Sequence, residues 1–263
     1  LNTAPGVISA GYTFNQEVSI HGGTVRDNVY ILDGVNLTDI FIMAPLINLH
    51  FDLMEQIEII SSGQFASQLP ARGAYVNVVS KSGGNSFAGK LGLFFINDSW
   101  NKDLWTSSQI KDLGVSPPLG DKNLFESSLS LGGPFWEDRA WYFLTGKYLK
   151  KSMNNNFIGP FQDIQGREHY NYDWYRRDVS GFFKLILLPI SNAKFTAWIN
   201  LADVYQPVYE DPSPRMPFLS THVLDDEKFF ALHGVLNYHL NKNILAYIGA
   251  AYVNRNIHAL LQE

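Results

Sequence analysis

The chain has 263 residues, 46% of them apolar and 14% aromatic, which is ample for the core of one large domain or two and excludes a disordered chain. A net charge of −5, with Lys and Arg scattered rather than clustered, excludes the basic footprint of a nucleic-acid binder. The absence of cysteine removes disulfides, thiolate metal sites and cysteine nucleophiles.

From the N-terminus, Leu1 is followed by neither a basic n-region nor an apolar h-region, so no secretory signal is read there. Up to about residue 86, short apolar runs at 29–32, 57–60 and 75–79 are separated by turns at Gly22-Gly23, Asp33-Gly34 and Ser61-Ser62-Gly63, which predicts a small mixed sheet. Residues 44–55 (APLINLHFDLME) place Leu46, Leu49 and Leu53 at spacings of three and four and predict one short helix. Residues 1–86 are therefore read as a compact α+β unit.

From residue 87 the pattern becomes a repeated hairpin. Strands are expected near 88–98, 122–133, 140–152, 176–188, 193–204, 228–240 and 243–257, each long enough to cross a bilayer at a tilt. Short turns at 134–139, 189–192 and 241–242 alternate with long connections at 99–121, 153–175 and 206–225. Such alternation predicts a mainly β fold, a transmembrane antiparallel β-barrel segment of about seven strands with short periplasmic turns and long extracellular loops. Helical spans are excluded, because the most apolar segment, 182–190 (FFKLILLPI), is short and broken by Lys184 and Pro189.

Period-two alternation supports the strands. Phe230, Leu232, Leu236, Tyr238 and Leu240 share one face, opposed to His233, Asn237 and His239; Val179, Phe183, Leu185 and Leu187 oppose Asp178, Ser180 and Lys184. Residues 140–150 and 243–253 are apolar on both faces, as lumen positions touching a filled interior or as the core of a sandwich. Aromatics near the proposed strand ends (Trp100, Trp105, Phe135, Trp136, Trp141, Tyr142, Tyr170, Tyr172, Trp174, Tyr175) read as interfacial girdles. Seven is an odd number, and a sheet left open in lipid leaves edge N–H and C=O groups unpaired. A piece of a longer protein, or a barrel completed by other chains, is therefore expected.

Chemistry-bearing motifs are missing. No G-x-S-x-G, H-E-x-x-H, P-loop or G-x-G-x-x-G occurs, and the acidic stretch 203–227 lacks EF-hand spacing. His233 and His239 lie roughly 20 Å apart along an extended strand, too far to share a metal. No catalytic residue, cofactor or metal site is expected, and no enzyme. The loop 153–175 combines amides with aromatic faces, so Asn155, Phe157, Phe161, Tyr170, Tyr172 and Trp174 are candidate ligand contacts. Arg26, Arg72 and Lys81 are candidate partners for Glu126 and Asp178 between the N-terminal unit and the strands.

Residues 28–39 (NVYILDGVNLTD) resemble the "N..LDGVP" plug segment of TonB-dependent outer-membrane receptors, and 54–60 (MEQIEII) resemble their "IERIEV" strand. Residues 73–81 (GAYVNVVSK) are similar to the "GG.VNVVTK" strand that leaves the plug. The continuation 81–87 (KSGGNSF), with Asn123-Leu124-Phe125, Gly132-Gly133-Pro134 and Trp141-Tyr142-Phe143, resembles the Oar-type branch. The resemblance implies that 1–86 is the distal part of a plug domain and 87–263 the N-terminal portion of a barrel in the bacterial outer membrane. It implies a receptor or transporter that admits an extracellular solute to the periplasm by plug movement. Its partners would be outer-membrane lipid, a TonB-type energy-transducing complex, an unidentified ligand and other subunits of an outer-membrane assembly. The alternative is a barrel serving as a structural or adhesion component of a surface assembly, without transport. No TonB box and no N-terminal half of the plug are read in these residues.

Overall fold

The computed structural model describes residues 7–9, 18–39, 45–46, 50–61, 73–100, 121–155, 161–162, 168–169, 172–209 and 222–261. In chain order the strands are β1 (Val7–Ser9), β2 (Val18–Ile20), β3 (Val29–Leu32), β4 (Val35–Asn36), β5 (Met54–Ile60), β6 (Tyr75–Ser80), β7 (Ala88–Ile96) and β8 (Asp121–Trp136). They continue as β9 (Ala140–Asn155), β10 (Phe161–Gln162), β11 (Glu168–His169), β12 (Tyr172–Ile190), β13 (Ala193–Tyr209), β14 (His222–Asn241) and β15 (Ile244–Leu261). Two main sheets result, one of four strands in the order β4-β3-β6-β5 and one of seven in the order β15-β14-β13-β12-β9-β8-β7.

In the four-stranded sheet, β3 and β6 are a parallel central pair and β5 flanks β6 antiparallel. One face of the central pair is buried throughout, through Tyr30, Leu32, Val76 and Val78, while the other is buried at Val29 and Tyr75 and opens towards Val79, which accounts for the apolar character of VYIL and YVNVVS. The β3–β4 connection is a two-residue loop, Asp33-Gly34, with Leu32 paired to Val35. Both loop residues have positive φ, 46° and 87°, the type I′ geometry that D-G sequences favour.

In the seven-stranded sheet every pairing is antiparallel between neighbours in the sheet order, so the sheet grows hairpin by hairpin. All seven expected strands are present. Most run further than expected towards the long connections, β12 to 19 residues and β14 to 20. The hydrogen-bond ladder continues there past the point where apolar alternation stops, and alternation was the sequence signal.

One face of this wall is outward: Leu129, Val179 and Leu232 are 46%, 42% and 46% exposed. The other face is buried against the four-stranded sheet. Phe143, Phe182, Trp198, Phe229 and Ala231 from the wall share a single core with Ile20, Tyr30, Leu32, Leu37, Leu53, Val76 and Val78. The two-faced apolar pattern of 140–150 thus has its explanation, since Phe143 points inward onto that core.

Two expectations are corrected. Among the described part of 44–55 the only helical turn is a 3-10 turn at Phe51–Leu53, and Met54 already begins β5. Leu53 is buried from that tight turn and Leu46 packs partly buried against the same core, while Leu49 lies outside the described residues. Trp141 is not a girdle residue: its indole N–H donates to Asn85 Oδ1 at 2.6 Å on the inward side.

Candidate functional site

The polar residues of the 28–39 segment hold the N-terminal unit together from within. Asn28, fully buried, donates to Val18 O at 2.7 Å and accepts from Ala74 N at 3.2 Å, tying β2 to the start of β6. Thr38 Oγ1 accepts from Tyr30 N at 2.9 Å. Asp33, at the tip of the β3–β4 turn, accepts from Ser80 N at 2.9 Å and from the Ser80 hydroxyl.

Three carboxylates of this unit then reach the wall, each meeting a cation. Lys184 Nζ, on β12, lies 3.1 Å from Asp33 Oδ2 and donates to Ser80 Oγ at 3.0 Å and Ser80 O at 3.2 Å. Arg255, on β15, pairs with Asp39 and, at 2.5 Å, with Glu227 of β14. Lys90, on β7, lies 2.6 Å from Asp52. The contacts fall on the first, fourth and seventh strands of the wall. Lys184 and Asp33 have lost nearly all their water, whereas the Lys90 side chain is 66% exposed, so Coulomb attraction is strong at the first and screened at the last.

His50 sits beside this ladder, buried, with Nδ1 lacking a partner among the described residues. Burial lowers its pKa to about 4, the nearby Lys147 charge adds to the effect, and Asp52 and Glu126 oppose it. Burial alone would raise Asp52; hydrogen bonds from Lys90 and Ser128 outweigh it and hold the carboxyl below its ordinary value.

The connection from β6 to β7 is docked on the base of the wall. Asn85 donates to Asp138 Oδ1 at 2.5 Å and accepts from Asp138 N at 3.0 Å, besides receiving Trp141. Gly83 runs so close to β8 and β9 that a Cβ there would stand 2.1 Å from Tyr142 O and 2.9 Å from Gly133 O. The motifs KSGGNSF, GGP and WYF, far apart in sequence, are one contact.

The sequence-derived candidates divide. Glu126 pairs with Lys147 at 3.1 Å and Asp178 with Arg176 at 2.7 Å, both within the wall. Arg26 is exposed in the turn Val25–Asp27, Lys81 donates its backbone N–H to Leu53 O, and Arg72 lies outside the described residues. Among the described residues the cross-contacts thus carry the sign opposite to that expected, acids on the N-terminal unit and bases on the wall. The one available signal was Lys184, the single charge within the apolar segment 182–190. Asn155 closes β9 opposite Tyr172 of β12, Trp174 stands opposite Met153, and Phe161 opposite His169, all at the long-loop end. Phe157 and Tyr170 lie outside the described residues.

A compact sheet packed by an apolar core and polar contacts against the inner face of a meandering wall, whose other face is apolar, is the arrangement of a plugged outer-membrane barrel. No protein-family profile matches the chain. The TonB-dependent transporter Oar of Myxococcus xanthus is 29% identical over 131 residues, 49% of this chain and 12% of that protein. The outer membrane transporter YddB of Escherichia coli superposes with a TM-score of 0.67 at 14% identity, covering 96% of this chain and 36% of that one. The ferric enterobactin receptor PfeA of Pseudomonas aeruginosa gives 0.62 at 14% identity, covering 97% and 37%.

The resemblance to TonB-dependent outer-membrane receptors of the Oar type therefore holds in sequence over half the chain and in fold over nearly all of it. Its setting is the outer membrane, and the proteins it resembles are transporters and receptors, not enzymes. The chain spans little more than a third of the solved neighbours.

Proposed function

We propose that residues 1–86 are the distal part of the plug and residues 87–263 the first seven barrel strands of a receptor that binds an extracellular solute and admits it to the periplasm when the plug moves. The observation that carries the reading is the mixed plug–wall seam, an apolar patch ringed by a few polar clamps. A permanent seal needs only apolar packing. A stopper that must shift needs polar contacts that can be remade elsewhere, and the seam has three acid–base pairs, Asp52 with the solvent-open Lys90 and the enclosed pairs at Asp33 and Asp39.

Size supports a closed resting state. Between Pro45 and Leu46 of the plug and Lys147, Arg176, Phe229 and Arg255 of the wall lies a cavity of about 40 Å³, room for a water molecule. A bound solute needs about 300 Å³ or more. The solute therefore meets the protein above this level, where Asn155, Phe157, Phe161, Tyr170, Tyr172 and Trp174 are the proposed contacts, and passes only after the plug is displaced. A TonB-type complex in the inner membrane is the proposed source of that force.

The test is solute accumulation by cells carrying the full-length gene, its deletion, or the intact gene without inner-membrane energy transduction. Loss of accumulation in both defective strains supports a transporter. Normal accumulation with a disturbed cell surface supports the scaffold reading instead.

A further inference from the structure

We propose that the outward face of the wall carries a binding site for the phosphorylated headgroup of an outer-leaflet lipid, at the height where β8, β9, β12, β13 and β14 leave the hydrocarbon. The site rests on the barrel reading, since only then does outward mean lipid. On each strand the outward positions are apolar or small until one charge appears. On β9, Leu144, Gly146 and Tyr148 lead to Lys150; on β12, Phe183, Gly181 and Val179 lead to Arg177. On β13, Ile199 and Leu201 lead to Asp203; on β14, Leu232 and Phe230 lead to Lys228.

Register sets these charges in two neighbouring pairs: Lys150 is opposite Arg177, and Asp203 is opposite Lys228 and, on its other side, Val179, two residues along β12 from Arg177. Among the described side chains of this row the charges are Lys150, Arg177, Lys228 and one carboxylate, Asp203, and Lys228 is already engaged. Arg177 uses that carboxylate, Asp203, at 3.2 Å. Lys150 has no carboxylate among the described residues and lies over the Tyr175 ring, 5.5 Å from its centroid. A cation at the edge of hydrocarbon is stabilised by an anion from the adjoining headgroup layer.

Beside Lys150 the outer surface opens into a cleft of about 230 Å³, lined among others by Phe95, Asn97, Asn123, Phe125, Lys150 and Tyr175. Asn97 Oδ1 already accepts from Ser99, and Asn123 Oδ1 from Asp98 N at 3.4 Å, so each amide presents its NH₂ group as a donor. One ammonium and two amide donors suit a phosphate, and the rings suit a sugar face. Below this level the outward face is apolar and exposed at Leu144 and Val179, where acyl chains would lie, so the occupant that suits it is a lipid and not a dissolved anion.

The experiment uses the full-length receptor in mild detergent, with diphosphoryl lipid A titrated and counted by native mass spectrometry. The double variant Lys150→Gln, Arg177→Gln is expected to bind about 30-fold more weakly, two surface cations being lost. Lys150→Arg restores most of the affinity, Lys242→Gln at the opposite end leaves it unchanged, and dephosphorylated lipid A binds the wild type as poorly as the diphosphoryl lipid binds the double variant. Equal binding of both lipids, or an unaffected double variant that keeps heat-modifiable migration, overturns the site. Displacement by millimolar inorganic phosphate overturns the lipid as its occupant. Failure of the wild type to show heat-modifiable migration overturns the barrel reading, and this site with it.

Discussion

Lys184 brings a charge into the most apolar segment of the chain, 182–190, and leaves its water there. Its stability rests on Asp33 and two oxygens of Ser80, so removing either charge leaves the other buried with only the neutral Ser80 groups as partners, at a cost of about 3 to 5 kcal/mol. Asp33→Asn and Lys184→Met are each expected to lower the urea concentration at which the plug unfolds inside the barrel, read as the onset of conductance in a planar bilayer. The double variant should lose clearly less than the sum. Additive losses would mean that the pair is not coupled. His50 gives a second residue-scale prediction. Its pKa is depressed in the folded state, so the unfolded chain takes up a proton that the folded plug refuses; the plug is most stable above pH 6.5 and weakens as pH falls towards about 4. The urea onset should therefore fall between pH 7 and pH 4 in the wild type, and His50→Gln should remove much of that slope. A slope identical in both proteins would assign the pH dependence to other groups.

At the scale of elements, the connection between β6 and β7 is where two neighbouring glycines differ most. A methyl group at Gly83 collides with the carbonyls of Tyr142 and Gly133, backbone atoms held by the β8–β9 ladder, while nothing stands within 4 Å of a Cβ at Gly84. Gly83→Ala should lift the connection from the wall, at a cost of about 1 to 3 kcal/mol. Gly84→Ala should be silent, and Asn85→Ala should cost about as much as Gly83→Ala, with three hydrogen bonds of about 1 kcal/mol each at stake but no clash. Limited proteolysis of the detergent-solubilised receptor checks this by the rate of cleavage within 81–87, and equal rates for Gly83→Ala and Gly84→Ala would refute it. The same element shows what was legible in the sequence. Strands and turns were, because lipid on one side and plug or water on the other impose a period of two on long segments, and the short turns carry Pro, Asn and Asp. The docking of KSGGNSF on WYF was not, because it joins residues more than fifty positions apart through one indole N–H and one close backbone approach, neither of which leaves a periodic trace. The short helix failed for the opposite reason: three leucines mimic a helical stripe over a span too short to test it. The sign of the seam was hidden as well, since acids at turn tips such as Asp33 read as turn chemistry alone.

Over the whole molecule, the three acids of the N-terminal unit are distributed along the wall, on contacts with β7, β12 and β15, three strands apart each time. At about 4.8 Å per strand the clamps stand roughly 14 Å from one another, beyond the range at which neighbouring substitutions couple. Their contributions to plug seating should therefore add, in contrast to the coupling expected within the Asp33–Lys184 pair. They should also respond differently to salt. Lys90 is open to solvent and its attraction to Asp52 is screened within about 10 Å at 0.1 M salt and about 3 Å at 1 M, whereas the Lys184 and Arg255 contacts are enclosed and little screened. The expected leak of the full-length barrel is thus smallest for Asp52→Asn and larger for Asp33→Asn and Asp39→Asn. Combining the latter two should multiply their separate effects on the closed-to-leaky equilibrium. Raising salt from 0.1 to 1 M should bring the wild type to the level of Asp52→Asn and no further, and should change Asp52→Asn itself little. If instead high salt opened the wild type as widely as Asp33→Asn does, the buried clamps would be water-filled in the membrane. The seating of the plug would then rest on the apolar patch around Phe143, Phe182 and Trp198, and a large-to-small substitution at Phe182 would become the variant that leaks.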